Sequence, residues 1–166
     1  MIKIILIIVI VFLVLSGAFL VQKNLVSSPT DDLNNIVDIL PGKKTLNLIN
    51  QRLEKIPSYV FNQTSLEELN VSNNLLTGSI QGEIRHLSNL KILNASNNQM
   101  TGVPAEVGQL QKLEVLDLSN NKLTGLPNEI GNLKNLKVLN LSGNQYSQQD
   151  LDYIKSKLPS TVNIIL

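Results

Sequence analysis

The sequence contains no cysteine and no tryptophan among its 166 residues, and only 4% of it is aromatic. Without cysteine there is no disulfide, no thiolate metal site, no cysteine nucleophile and no lipid-modified cysteine. The scarcity of aromatic rings removes the stacking platforms on which bases bind. A net charge of +1 gives no reason to expect a nucleic-acid partner, which calls for a basic surface. The fold must therefore be held together by its apolar core.

Few side chains in this sequence could carry chemistry. Histidine occurs once, at His86, and no carboxylate cluster stands beside it at metal-ligand spacing. The acidic pair Asp31-Asp32 is interpreted as a helix start, and Asp150 and Asp152 as the solvated side of a later helix. We therefore expect no metal, no cofactor and no catalytic residue.

The N-terminus carries a long apolar run, residues 4–21, interrupted only by Ser16 and Gly17. As a helix this run spans about 27 Å, close to a hydrocarbon thickness of roughly 30 Å. Two interpretations stay open: an uncleaved transmembrane anchor, which the length favours, or a signal peptide cut after Ala18. Both place the rest of the chain outside the cytoplasm, either on the cell membrane or secreted.

An eleven-residue pattern of four apolar positions and one asparagine recurs along the chain. Its copies follow one another after 24, 23 and 23 residues. A step of 23 beyond Leu139 and Leu141 reaches Val162 and Ile164, which predicts a sixth strand. The four copies are Leu66/Leu69/Val71/Asn74/Leu76, Leu90/Leu93/Ala95/Asn98/Met100, Leu113/Leu116/Leu118/Asn121/Leu123 and Leu136/Leu139/Leu141/Asn144/Tyr146, with a weaker one at Leu46/Leu48/Gln51/Leu53.

The second half of each unit repeats as well. Apolar columns recur at the same period, and a proline follows the first column in three units of four. These prolines disfavour a strand and stiffen the side opposite the predicted sheet. Gln63 stands where later units have leucine, and Phe61 is expected to fill that space. The first column is Ile56, Ile80, Val103 and Leu126, and the prolines are Pro57, Pro104 and Pro127.

Over residues 44–166 these motifs resemble the leucine-rich-repeat family. The resemblance implies an α/β solenoid, a horseshoe with a short parallel sheet on its concave side, here preceded by an N-terminal hydrophobic helix. Most units are similar to the 23-residue class of bacterial and Ras-binding repeat proteins, whereas Leu76-Thr77-Gly78-Ser79-Ile80 is similar to the plant receptor class. Plant ectodomains usually carry paired cysteines in their caps, so their absence here favours a bacterial origin.

The chain divides into five predicted segments: an anchor or signal at 1–21, a linker at 22–30, an N-terminal helical cap at 31–43, repeats at 44–146, and a C-terminal helix and strand at 147–166. Pro41-Gly42 ends the first cap helix. Ser147 is positioned to cap the second, which runs to about Leu158 before Pro159. The apolar final strand is expected to be either covered or an edge available for pairing.

One asparagine per repeat is interpreted as structural. It stands where each strand ends and the backbone loses its sheet partners, and a buried amide offers both a donor and an acceptor there. This ladder consists of Asn74, Asn98, Asn121 and Asn144.

The resemblance implies a protein partner bound through the concave face. Outward strand positions form an Asn/Asp column that continues to Asn163, a serine column that continues to Ile165, and a column that becomes aliphatic in the later repeats. The predicted contact residues are Asn47, Glu68, Asn70, Ser72, Ile92, Asn94, Ser96, Val115, Asp117, Ser119, Val138, Asn140 and Ser142.

The size of this face limits what it can bind. Six strands give a face of roughly 29 Å by 17 Å, near 500 Å², whereas a standard interface takes about 800 Å² per partner. The expected function is an exported or membrane-anchored protein-binding module, with weak contacts and weak self-association. The alternative is a structural or self-associating cell-envelope protein. An enzyme is not expected, because repeat-containing ubiquitin ligases use a cysteine that this chain lacks.

Overall fold

The computed structural model describes residues 44–166. The predicted anchor or signal peptide, the linker and the N-terminal cap helix, residues 1–43, lie outside the described residues.

Six short parallel strands form one sheet. Each inward leucine lies beside the leucine of the next coil, for example Leu69 beside Leu93 and Leu116 beside Leu139. All four are fully buried. A solenoid with a parallel sheet is therefore confirmed. The strands are β1 Thr45–Asn47, β2 Glu68–Asn70, β3 Thr77–Gly78, β4 Ile92–Asn94, β5 Gln99–Met100, β6 Val115–Asp117, β7 Val138–Asn140 and β8 Asn163–Ile165. The order in the six-stranded sheet is β1-β2-β4-β6-β7-β8, and β3 and β5 pair separately.

The predicted register of the sixth strand was wrong by two residues. Ile164 pairs with Leu139, and Ile165 pairs with Asn140. The last unit has a ten-residue α-helix where the other units have five-residue 3-10 helices. An α-helix rises about 1.5 Å per residue against about 2.0 Å for a 3-10 helix, so this unit needs more residues to complete its coil. The Asn/Asp column therefore ends on Ile165, not on Asn163.

Four 3-10 helices line the convex side, and three of them follow a proline. Pro57, Pro104 and Pro127 each immediately precede one. Gln81 takes the proline's place in the remaining unit, and its Nε2 donates to the carbonyl of Ile56 at 2.6 Å. The four 3-10 helices are Ser58–Asn62, Gly82–His86, Ala105–Gln109 and Asn128–Asn132.

The C-terminal helix, α1, spans Gln148–Lys157 and packs against the last 3-10 helix. Leu151, Ile154 and Leu158 are buried, as their spacing predicted. Ser147 precedes the helix, but its side chain makes no capping hydrogen bond, contrary to expectation. The helix is therefore positioned by its apolar face and not by its cap.

The first unit fills its core differently from the others. Phe61 is buried and supplies the apolar volume that the sequence predicted for it. Gln63 is only partly exposed, and its Oε1 is buried without a hydrogen-bond partner among the described residues. A buried unpaired carbonyl oxygen is a local weakness in an otherwise apolar column.

Candidate protein-binding face

The four ladder asparagines lie at the bend where each strand ends, and each bridges two coils. The N–H groups of Gln51 and Leu53 donate to Oδ1 of Asn74 at 2.9 and 3.1 Å. Its Nδ2 donates to the carbonyls of Leu48 and Val71, both at 2.8 Å. Asn98 and Asn121 repeat this arrangement and are buried, whereas Asn144 in the last coil is half-buried.

The residue before each ladder asparagine, and Asn50 before the equivalent Gln51 of the first coil, has a left-handed backbone conformation. Its φ is between 52° and 59° at four positions and 71° at the fifth, which is Gly143. Asparagine and glycine tolerate this conformation best among the residues, and it turns the chain sharply out of the strand. Our sequence reasoning missed this column, although the Asn-Asn doublets were a readable signal. The four asparagines are Asn50, Asn73, Asn97 and Asn120.

The Asn/Asp column of the concave face holds its own strand ends in place. In every coil the side-chain Oδ1 accepts the N–H of the residue two positions later, at 2.9 to 3.2 Å. Asn140 also donates from Nδ2 to Asp117 Oδ2 at 3.3 Å. Within residues 44–166, no hydrogen bond uses Nδ2 of Asn47, Asn70 or Asn94, so these three amides keep a donor for a ligand.

The serine column does not form an exposed row, and this part of the expected face is corrected. Ser72, Ser96 and Ser119 are only 4 to 6% exposed. Each strand ends two residues before its serine, so the chain has already begun to turn inward there. The hydroxyls of Ser96 and Ser119 donate to the neighbouring Asn94 and Asp117 at 2.7 Å. Ser142, in the last repeat, stays half-exposed.

The aliphatic column crosses the middle of the face. Ile92, Val115 and Val138 lie side by side on the adjacent strands β4, β6 and β7. The same row begins with Thr45 on β1 and Glu68 on β2. The three aliphatic side chains are half-buried, so each keeps part of its surface on the concave side. The face therefore changes along the solenoid from polar at β1 and β2 to apolar at β4, β6 and β7.

Charges of alternating sign line the edge where the strands begin. Glu67 forms ion pairs with Lys44 at 2.6 Å and with Lys91 at 2.7 Å. Lys137 forms an ion pair with Glu114 at 2.5 Å. The two lysines, Lys44 first, lower the pKa of Glu67 to about 2, and the hydrogen bond to Glu67 raises the pKa of Lys91. This charge ladder consists of Lys44, Glu67, Lys91, Glu114 and Lys137. Our sequence reasoning missed it, although its members recur at the repeat period.

The described residues include no group of three or more His, Cys, Asp or Glu side chains that could hold a metal ion. A shallow depression beside Ile56, Thr77 and Ile80 opens to solvent and encloses no space for a water molecule. In residues 44–166, no helix is long and apolar enough to cross a bilayer.

Family models match most of this solenoid. A leucine-rich-repeat model matches residues 43–100, and a leucine-rich-repeat-region model matches residues 75–156. The chain belongs to the leucine-rich-repeat family. Repeats of this family are typical of non-enzymatic domains that mediate protein–protein interaction.

The similar proteins are longer than this chain. The human volume-regulated anion channel subunit LRRC8B is 36% identical over 77 residues, which are 46% of this chain and 10% of that protein. A leucine-rich-repeat protein of Leptospira interrogans is 35% identical, with a TM-score of 0.70 over 89% of this chain and 36% of its own.

A plant receptor ectodomain is similar too. It belongs to the membrane receptor kinase GASSHO1/SCHENGEN3 of Arabidopsis thaliana, in complex with Casparian strip integrity factor 2. It is 32% identical, with a TM-score of 0.57 over 68% of this chain and 14% of its own.

Proposed function

We propose that this leucine-rich-repeat protein is exported, tethered to the cell membrane by residues 4–21, and binds another protein through its concave face. The observation that carries the binding proposal is the aliphatic column. Ile92, Val115 and Val138 are half-exposed, contiguous and flanked by the polar Asn/Asp column, in which Asn94 keeps a free amide donor. An apolar centre with a polar rim is the usual composition of a protein interface.

Three further observations support parts of this proposal. The similar plant ectodomain is in complex with a protein factor, which favours a protein ligand here. The apolar run at 4–21 has the length of a membrane-spanning helix. The absence of cysteine, together with the similar Leptospira protein, favours a bacterial source.

Site-specific photo-crosslinking tests the binding face in the intact cell. A photoreactive amino acid replaces Val115 in one variant and Gln109 in another. Gln109 is the matched control because it is close to Val115 in the sequence, is exposed, and lies on the preceding convex 3-10 helix. The proposal predicts one discrete crosslinked protein at position 115 that is absent at position 109. Equal products at both positions, or none at 115, would contradict it.

The mature N-terminus tests the tether separately. An uncleaved anchor predicts that the purified protein retains residues 1–18, and that protease added to intact cells removes the repeats. A mature chain beginning at Phe19 would replace the anchor with a signal peptide. Repeats that resist protease until the cells are lysed would contradict export.

A further inference from the structure

The last strand of the sheet, β8, has a free edge in the part of the chain that the structure describes. β7 pairs with one side of β8, and no described strand lies on the other. The N–H of Asn163 donates to the carbonyl of Lys137, and the N–H of Leu141 donates to the carbonyl of Ile165, both at 2.8 Å. Residues 163 and 165 therefore turn their backbone groups toward β7. Since alternate residues of a strand point their backbone groups to opposite sides, Ile164 presents its N–H and carbonyl to the free edge.

The side chains around this edge are incompletely covered. Val162, Ile164 and Leu166 occupy alternate positions, so they share the core-facing side of the strand. The first two are half-buried and Leu166 is 59% exposed, whereas Leu139 in the preceding strand is fully buried. On the concave side Ile165 is 40% exposed. The coil thus ends in an apolar row that a neighbouring strand would cover.

This edge also lacks the features that normally prevent strands from pairing. Protected edges carry lysine, proline or an inward-pointing charge. Residues 162–166 contain neither a charged side chain nor a proline. A partner recognised through ion pairs would therefore find no complement along this strand.

We propose that a second copy of this chain pairs with β8 in the antiparallel direction, with Ile164 opposite Ile164 of the second copy. The two isoleucines then exchange both of their free backbone hydrogen bonds across a two-fold axis. In this register Val162 lies opposite Leu166 and Asn163 lies opposite Ile165. Residues 162, 164 and 166 are all apolar, so each of them lies opposite an apolar residue of the second copy. The row is therefore complementary to itself.

Pairing of this kind enlarges the candidate binding face. A two-fold axis perpendicular to the sheet keeps the concave faces of both copies on one side. Twelve strands give a face of roughly 1,000 Å², above the 800 Å² or so that each partner contributes to a standard interface. The strand contact alone is small, so we expect the dimer to be weak in dilute solution and favoured where copies are concentrated.

Disulfide trapping tests the register. Because the native chain has no cysteine, every disulfide that forms involves an introduced cysteine. The full-length single variants Asn163→Cys and Ile165→Cys are mixed and mildly oxidised. Opposing residues beside a hydrogen-bonded pair have Cα atoms about 4.5 Å apart, within disulfide range, whereas two copies of position 163 would be more than about 8 Å apart. The proposal predicts that the 163–165 disulfide forms in excess of the 163–163 and 165–165 disulfides. The excess should be at least about fivefold over the ratio expected from random pairing.

A mixture of two variants that should not meet is the control for this test. Asn47→Cys, exposed on the first strand, is mixed with Asn163→Cys and should give only the random level of crosslinking. A mixed 163–165 product no more abundant than this control, or equal amounts of all three disulfides, would overturn the proposal.

Concentration-dependent sedimentation supplies a second measurement. Leu166→Glu places a charge on the apolar row and should weaken self-association by at least about tenfold, since each copy would bury an unpaired carboxylate. Leu75→Glu is the matched control, because Leu75 is also exposed, at 41%, but lies away from β8. Equal association of the two variants would contradict the assignment of β8 as the contact.

Discussion

The side chain of Asn98 donates a hydrogen bond to the backbone carbonyl of Val71, 27 residues earlier in the chain, at 3.1 Å. The same amide donates to the carbonyl of Ala95 and accepts the N–H of Leu76, at 3.1 and 3.0 Å. One buried side chain therefore satisfies backbone groups of two successive coils. This relationship, repeated along the ladder, ties each bend to the one before it.

Replacing Asn98 with alanine should destabilise the solenoid by about 2–4 kcal/mol, because several buried backbone groups would lose their partners at once. Asn144→Ala should cost less, since Asn144 is half-buried and water can reach its partners. Urea unfolding of the two variants measures the difference. Equal losses of stability would show that burial does not decide the value of these hydrogen bonds.

Gln63→Leu should stabilise the protein by about 1–2 kcal/mol, because it replaces a buried unpaired carbonyl oxygen with the residue that later repeats have there. Leu87, Leu110 and Leu133 show that this position accepts leucine. Asn62→Leu, at an exposed neighbouring position, is the control and should not raise the unfolding midpoint. An unchanged or lower midpoint for Gln63→Leu would mean that the first coil requires the amide.

The regularity of the repeat explains why much of the fold could be predicted. A fixed period aligns Leu69, Leu93, Leu116 and Leu139 once one coil is placed, so the register and the core followed from spacing alone. The final strand broke the rule because α1 changed the number of residues per coil. The serines were misplaced because alternation was extended past the strand end, where Asn73 and its equivalents turn the chain.

The candidate site was less predictable for a different reason. Asn70 and Asn94 look like free polar groups in the sequence, yet their Oδ1 atoms are occupied by nearby backbone N–H groups. The charge ladder was missed because its members are 23 or 24 residues apart and become neighbours only when the coils stack. Sequence spacing identifies the columns, but the bonding between adjacent columns depends on side-chain geometry.

The two salt bridges of Glu67 predict how stability depends on acidity. Its pKa is lowered from 4.5 to about 2 in the folded protein, so its contribution is present above the unfolded pKa and is lost as the pH falls from about 4.5 toward 2. Glu67→Gln should reduce the slope of unfolding free energy against pH in that window. The effect should be modest and screened by salt, because all three partners are solvent-exposed or half-exposed.

Glu54→Gln is the control for this measurement, since Glu54 is exposed and forms no ion pair within residues 44–166. A Glu67→Gln profile that coincides with the native one between pH 2 and about 4.5 would show that the two lysines do not stabilise the fold through this carboxylate.

Close packing of the later coils depends on glycine on the convex side. A Cβ atom added to Gly108 would lie 2.3 Å from the carbonyl oxygen of Glu129, which is backbone and cannot move aside freely. Gly108→Ala should therefore lower stability by about 1–3 kcal/mol. Gly102→Ala is the matched control, because a Cβ there meets nothing within 4 Å. Thermal unfolding that ranks the two variants equally would contradict the close approach.

The proposed function depends on the concave aliphatic column. The most direct test is the affinity of the captured partner for Val115→Glu and for Gln109→Glu, measured side by side with the full-length protein. We expect Val115→Glu to weaken binding by at least about tenfold, because it places a charge in the apolar centre of the interface, and Gln109→Glu to leave affinity unchanged. Native affinity in Val115→Glu would contradict binding through this face.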